Sequence, residues 1–146
     1  MSADSLPVAV VMQRIALENR WVSEKWEAHG VVPDASGPGA PRVIYEDGRQ
    51  RHVLHTGLAI ELFRDEAESY HLNLTSPEPR VFVLCRADDG PPRPALVSVS
   101  YGEAARWMDG GETVDGVPMP PEIYAWVGAF VERHYRPKPK KVRQRT

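Results

Sequence analysis

Apolar side chains recur along this chain at two spacings, and the change from one to the other falls near Ser100. Before it the repeat is two. Pro7 to Ile15 (PVAVVMQRI) is rich in β-branched residues, with Val8, Val10 and Met12 on one face of an extended chain. From Val22 to Val32, Trp26, Ala28 and Val32 alternate with Lys25, Glu27 and His29, which predicts a half-exposed strand with a bulge or bend at Gly30. Pro33 to Pro41 is a loop by composition and the internal segment expected to be the most mobile. Arg42 to Glu46 and Arg49 to His55 flank Asp47-Gly48, a dipeptide suited to the type I′ turn of a hairpin. Leu58 to Phe63 and Glu68 to Leu74 alternate across Arg64 to Ala67. This predicts a second hairpin whose buried face holds Leu58, Ile60, Leu62, Tyr70, Leu72 and Leu74. Arg80 to Cys85 is nearly continuously apolar, as expected of a central strand covered on both faces, and Asp88 to Pro92 turns it into a last strand, Ala95 to Ser98.

After Ser100 the spacing becomes helical. Ser100 followed by Glu103 is a capping-box pattern, in which the hydroxyl accepts from an amide of the first turn and the carboxylate reaches back to the cap amide. The short helix runs through Trp107 and stops at Gly110-Gly111, where a positive φ costs little. A longer helix starts at Pro120-Pro121, buries Ile123, Trp126, Val127, Phe130 and His134 along one stripe, and ends at Pro137. The fold class is therefore α+β, mainly β. Seven to eight short antiparallel strands form a barrel or sandwich, with a short helix and a long C-terminal helix that closes one open end or covers one face. That element order is similar to a pleckstrin-homology-like barrel, a likeness of order alone that carries no function.

The length of 146 residues suits one domain, read as residues 1–137, followed by a flexible basic tail at 138–146. Charge sharpens this division. Arg136, Lys138, Lys140, Lys141, Arg143 and Arg145 leave twelve basic against twenty acidic residues before them, so an acidic body of about −8 precedes the tail. The single cysteine allows no internal disulfide, the apolar run Leu6 to Val11 is too short for a signal-peptide core, and no stretch is long enough to cross a bilayer. A cytoplasmic protein without a membrane partner is expected.

No motif supplies a catalytic set. His52 and His55 lie three apart on a strand and point to opposite faces, so a zinc site needs a fold that gathers His55, His71 and Cys85. Cys85 ends an apolar strand and reads as a buried hydrophobe, the alternative being a thiol activated by Arg86. Asp109, Glu112 and Asp115 sit in a glycine-rich stretch that lacks the acid spacing of an EF-hand and is read as a connection between helices, and the three acids are candidates to contact a partner. Trp107 and Tyr124 are candidates to line a groove for a partner, because each ring carries a polar group. The tail lysines Lys138, Lys140 and Lys141 serve nucleic acid or a protein partner. The acidic body and the absence of aromatics after Tyr135 favour the partner. No cofactor or metal is expected.

The runs LNLTSPEPRVFVL and ARWMDGGETVDGVPMPPEIYAWVGAFVERHYRP, with the opening PVAVVMQR and the later NRWVSEKWEAHGVV, resemble the bacterial domain-of-unknown-function family 3305 over nearly all of the chain up to Pro137. The resemblance implies a genomic setting beside formate dehydrogenase subunits and accessory genes of molybdenum enzymes. From that comes the expectation of a non-catalytic accessory protein that assists maturation, assembly or regulation of a molybdenum-dependent formate dehydrogenase. Its partner is a subunit of that enzyme or another maturation factor. The alternative is an enzyme or carrier acting on the molybdopterin guanine dinucleotide cofactor, with Arg80, Arg86, Arg93 and Arg106 as candidate phosphate donors. Some relatives are labelled molybdopterin-guanine dinucleotide biosynthesis protein A. Such a nucleotidyltransferase needs a glycine-rich phosphate loop after its first strand, whereas MQRIALENRW follows Val11 here with no glycine before Gly30.

Overall fold

A computed structural model describes residues 4–137. Seven strands and three helices follow in the order β1 (Ser5–Ala16), β2 (Glu24–Pro33), β3 (Arg42–Glu46), β4 (Gln50–Glu61), a 3₁₀ turn (Arg64–Glu66), α1 (Ala67–Leu74), β5 (Arg80–Arg86), β6 (Arg93–Ser98), α2 (Tyr101–Asp109), β7 (Thr113–Pro118) and α3 (Pro121–His134). They form two antiparallel sheets, ordered β2-β1-β4-β3 and β6-β5-β7. Strand β4 lies beside β6 and β2 beside β7, but no ladder joins the sheets, so the expected barrel is not closed. Val8, Val10 and Met12 of one sheet meet Val81 and Val83 of the other in the core, and Tyr70 and Leu74 of α1 with Ile123, Val127 and Phe130 of α3 complete it. Helix α2 packs against β5 and β7, where Ala104 is buried and the Tyr101 ring lies 5.2 Å from that of Phe82.

Several expectations change against this frame. Glu68 to Leu74 is a helix, not the second arm of a hairpin. Its buried residues Ala67, Tyr70, Asn73 and Leu74 fall at steps of three, three and one, while Leu72, expected inside, is 54% exposed. The capped helix is followed by a seventh strand, so the stretch around Asp115 is not a simple connection between helices. Val114 and Val117 are paired with Leu84 and Val81 of β5, and that pairing outweighs the weak strand propensity of Asp115-Gly116. In β2 the bulge falls at His29, beside Gly30. The extra residue turns the alternation over, so that Val31 is buried and Val32 is exposed. At Asp47-Gly48 neither residue has a positive φ, which excludes the type I′ turn. The Asp47 carboxylate makes the turn instead, accepting from the amides of Arg49 and Gln50, both at 2.7 Å.

Asn73 on α1 is a fully buried polar residue. Its Nδ2 donates to the carbonyls of Arg80 at 2.7 Å and Val99 at 2.9 Å, and its Oδ1 accepts from the Arg80 amide at 2.9 Å. One amide side chain thereby ties α1 to the start of β5 and to the residue after β6.

Candidate functional site

The ladder between β3 and β4 ends at Leu54, but β4 continues to Glu61. Gly57 has a φ of 85°, and a Cβ there would stand 2.6 Å from the Pro38 Cα, so glycine is required at that point. Beyond it Leu58, Ala59 and Glu61 stay paired to β1 on one side and face β6 on the other. Glu103 and Trp107, four apart on α2, project over the same opening. The result is an open groove of about 480 Å³ lined by Gly57, Leu58, Ala59, Glu61, Phe63, Ala95, Leu96, Val97, Glu103 and Trp107.

Apolar side chains remain exposed at this groove: Phe63 is 48% and Leu96 46% accessible. The Phe63 amide donates to the Tyr70 hydroxyl at 2.9 Å, which fixes the backbone carrying that ring at the rim. The carboxylates of Glu61 and Glu103 make no hydrogen bond or ion pair among the described residues.

Glu103 is available because the capping box forms only in part. Ser100 Oγ accepts from the Glu103 amide at 3.0 Å, as expected, but the Ser100 amide donates to Ser98 Oγ at 3.0 Å rather than to the Glu103 carboxylate. Ser100 Oγ also donates to Glu66 at 2.7 Å, and Arg106 pairs with the other oxygen of Glu66. Burial acts to raise the Glu66 pKa, but the hydrogen bonds from Ser100 and Arg106 and the guanidinium charge outweigh it and hold the carboxyl below its ordinary value. This anchor fixes the start of α2 against the turn that follows β4.

The sequence-derived candidates are placed unevenly. Trp107 lines the groove; Tyr124 is not among its lining residues and is 45% exposed on α3, its hydroxyl 3.4 Å from the Leu74 carbonyl. Asp109 is exposed at the end of α2, and Glu112 pairs with Arg86 at 3.1 Å. Asp115 is used inside the molecule: its Oδ2 accepts from the Ala28 amide at 2.9 Å and pins β7 to β2. Lys138, Lys140 and Lys141 lie outside the described residues. Sequence reasoning missed Phe63, Leu96, Glu61 and Glu103, whose meeting depends on the bend at Gly57.

The other chemistry disperses. Burial, and then the neighbouring Asp115 carboxylate, push the Cys85 thiol up to about 12, so it is protonated and unreactive near neutrality. His71 stacks on Tyr135 at 4.4 Å while His55 sits in β4 opposite Val10. No group of three or more His, Cys, Asp or Glu able to hold a metal occurs among the described residues. The four arginines considered for phosphate each face a carboxylate: Arg80 with Glu78, Arg86 with Glu112, Arg93 with Asp88 and Arg106 with Glu66. No helix among the described residues is long and apolar enough to cross a membrane.

A family model described as "Protein of unknown function (DUF3305)" matches residues 7–145. No curated protein and no solved structure matches the chain.

Proposed function

The chain belongs to the DUF3305 family, and from that premise we propose that it is a cytoplasmic, non-catalytic accessory protein for a molybdenum-dependent formate dehydrogenase. It assists maturation, assembly or regulation by holding a subunit of the enzyme, or another maturation factor, in the groove between β4, β6 and α2. The observation that carries the reading is the groove itself, where Phe63 and Leu96 stay in water beside Trp107 and two carboxylates without partners of their own. Apolar and aromatic surface left open in this way gains free energy when a partner covers it, and the two acids select a segment that carries basic side chains. The genomic setting implied by the resemblance supplies the identity of the partner.

The reading is tested by affinity purification of the full chain from cells that express the dehydrogenase. A dehydrogenase subunit or a maturation factor is expected to be retained, retention is expected to fall when Leu96→Asp or Trp107→Ala is introduced, and dehydrogenase activity is expected to drop in a strain lacking the protein. Full activity in that strain, with neither protein retained, removes the proposal. Binding of a guanine nucleotide in calorimetry, with the nucleotide displaced by changes at Arg86 or Arg106, transfers support to the cofactor-carrier alternative.

A further inference from the structure

The described chain ends close to the groove. Phe63, at the rim, leads directly into Arg64 and Asp65, and these with Ala67 and Glu68 form one wall of a neighbouring hollow of about 400 Å³ whose other wall is His134 to Pro137. The last turn of α3 is tied to the same place. Arg133 pairs with Asp4 at 3.8 Å, and the Asp4 carbonyl accepts from the Leu62 amide at 2.8 Å. The residues that follow Pro137 therefore start beside the groove.

The surface between the hollow and the groove is acidic. Burial, and more weakly the charges of Glu66, Glu103 and Asp65, push the Tyr70 hydroxyl up to about 12 against the bond from the Phe63 amide, so the three acids act on one point. Glu66 is taken up by Ser100 and Arg106, whereas the carboxylates of Glu61, Asp65, Glu68 and Glu103 make no hydrogen bond or ion pair among the described residues. Against these five acids stand Arg64, Arg106 and Arg136.

After Pro137 the sequence reads Lys138-Pro139-Lys140-Lys141-Val142-Arg143-Gln144-Arg145-Thr146, nine residues with five cations and no acid. The family match extends through this segment to residue 145. Nine extended residues reach about 30 Å, well beyond the width of the groove. A short tether also holds its segment at an effective concentration on the order of 1 mM, so contacts too weak to retain a separate peptide retain a tethered one.

We propose that residues 138–146 dock into the groove between β4, β6 and α2 of their own chain, their cations facing Glu61 and Glu103 and Val142 covering Phe63 and Leu96. Charge sets the direction of this contact and apolar cover adds to it. The segment then occupies the groove until a partner displaces it. Docking itself requires no partner; only the displacement rests on the function proposed above.

Paramagnetic relaxation NMR on the full chain tests it, with a nitroxide attached at Gln144→Cys, a neutral position. The native thiol, Cys85, is buried and leaves the label to the new site. Amide signals of Glu61, Leu96 and Trp107 are expected to lose intensity, and to regain it when salt is raised from about 0.1 M to about 1 M, which cuts the screening length from about 10 to about 3 Å. Glu61→Lys with Glu103→Lys is expected to abolish the loss, and adding Lys140→Glu, Lys141→Glu and Arg143→Glu to that variant to restore it. Thermal melts near the wild-type midpoint establish that the variants are folded. Broadening spread evenly over the surface, broadening indifferent to salt and to the charge reversals, or broadening transferred from labelled chains to unlabelled chains in a mixture would overturn the proposal. Because no partner is present, that failure leaves the proposed function standing, and failure to retain a dehydrogenase subunit leaves the docking standing. In the affinity purification, the three tail reversals alone are expected to raise retention of the partner; equal or lower retention would overturn the displacement.

Discussion

Two strands of this molecule are written almost alike and live in opposite surroundings. β3 reads Arg-Val-Ile-Tyr-Glu and β5 begins Arg-Val-Phe-Val-Leu, yet all of β3 is exposed while the five residues Val81 to Cys85 of β5 are buried. The difference is one of neighbours. β5 is flanked by β6 and β7, with Val81, Val83 and Cys85 in the main core and α2 packed against the strand, whereas β3 has β4 on one side and, among the described residues, no strand on the other. An apolar run therefore specifies an extended chain, but the number of elements placed around it decides how far its side chains stabilise the fold. Each fully buried large side chain is worth about 1.5–3 kcal/mol, an upper estimate, and β3 collects little of this.

The largest effect should come from removing the clamp that seats β5. Asn73→Ala deletes three hydrogen bonds and strands the buried groups of Arg80 and Val99, so a loss of about 3 kcal/mol or more is expected in urea denaturation. A loss below about 1 kcal/mol would mean that water replaces the clamp. The same substitution in both strands probes the comparison directly. Val83→Ala should cost about 2 kcal/mol and Val43→Ala no more than about 0.5 kcal/mol, read as the shift in denaturation midpoint. Equal costs would erase the contrast.

Acid should separate the two halves by pH. His52, in β4 beside His29 at 4.6 Å, has its pKa lowered by burial and then by the charge of His29. A base depressed in the folded state binds fewer protons there than when unfolded, so its contribution is complete above about pH 6.5 and falls as the pH drops below it. Glu66, whose carboxyl is held below its ordinary value, contributes fully above about pH 4.3 and loses that contribution only in stronger acid. Melting temperatures should therefore decline first between about pH 7 and 5, and His52→Phe should remove part of that limb, the remainder belonging to His55, whose pKa burial also lowers, while leaving the lower limb intact. A limb unchanged in the variant would assign it to another group. The smallest perturbation is chemical: Cys85 should resist alkylation at mildly alkaline pH in the folded protein and react after unfolding. Equal rates in both states would show that the edge of β5 opens.

Elements whose pattern and neighbours agree were legible in the sequence. β1, the β3–β4 hairpin, β5 and the starts of α2 and α3 lie where periodicity and capping residues put them. α1 was not, because Tyr70, Leu72 and Leu74 alternate as well as any strand, whereas the helix buries Ala67, Tyr70, Asn73 and Leu74 and leaves Leu72 exposed. β7 was hidden by Asp115-Gly116, residues that weaken a strand but are accommodated beside Phe82 and Ala28. Of the groove, Trp107 alone could be anticipated. Phe63 and Leu96 read as ordinary strand residues until the bend at Gly57 brings their strands to one opening.

The contact between Gly57 and Pro38 also bears on how the protein can be engineered. Residues 33–41 read as a loose connection, yet the Asp34 amide is bonded to the Pro7 carbonyl, the Asp34 carboxylate receives both the amide and the hydroxyl of Ser36, and a Cβ built at Gly39 would touch Thr56. The ribbon is moored at both ends with slack only at its crest. A reporter peptide spliced between Ser36 and Gly37 would hang clear of the sheet, whereas the same insert two residues later would lever Pro38 off the strand and carry the hairpin with it.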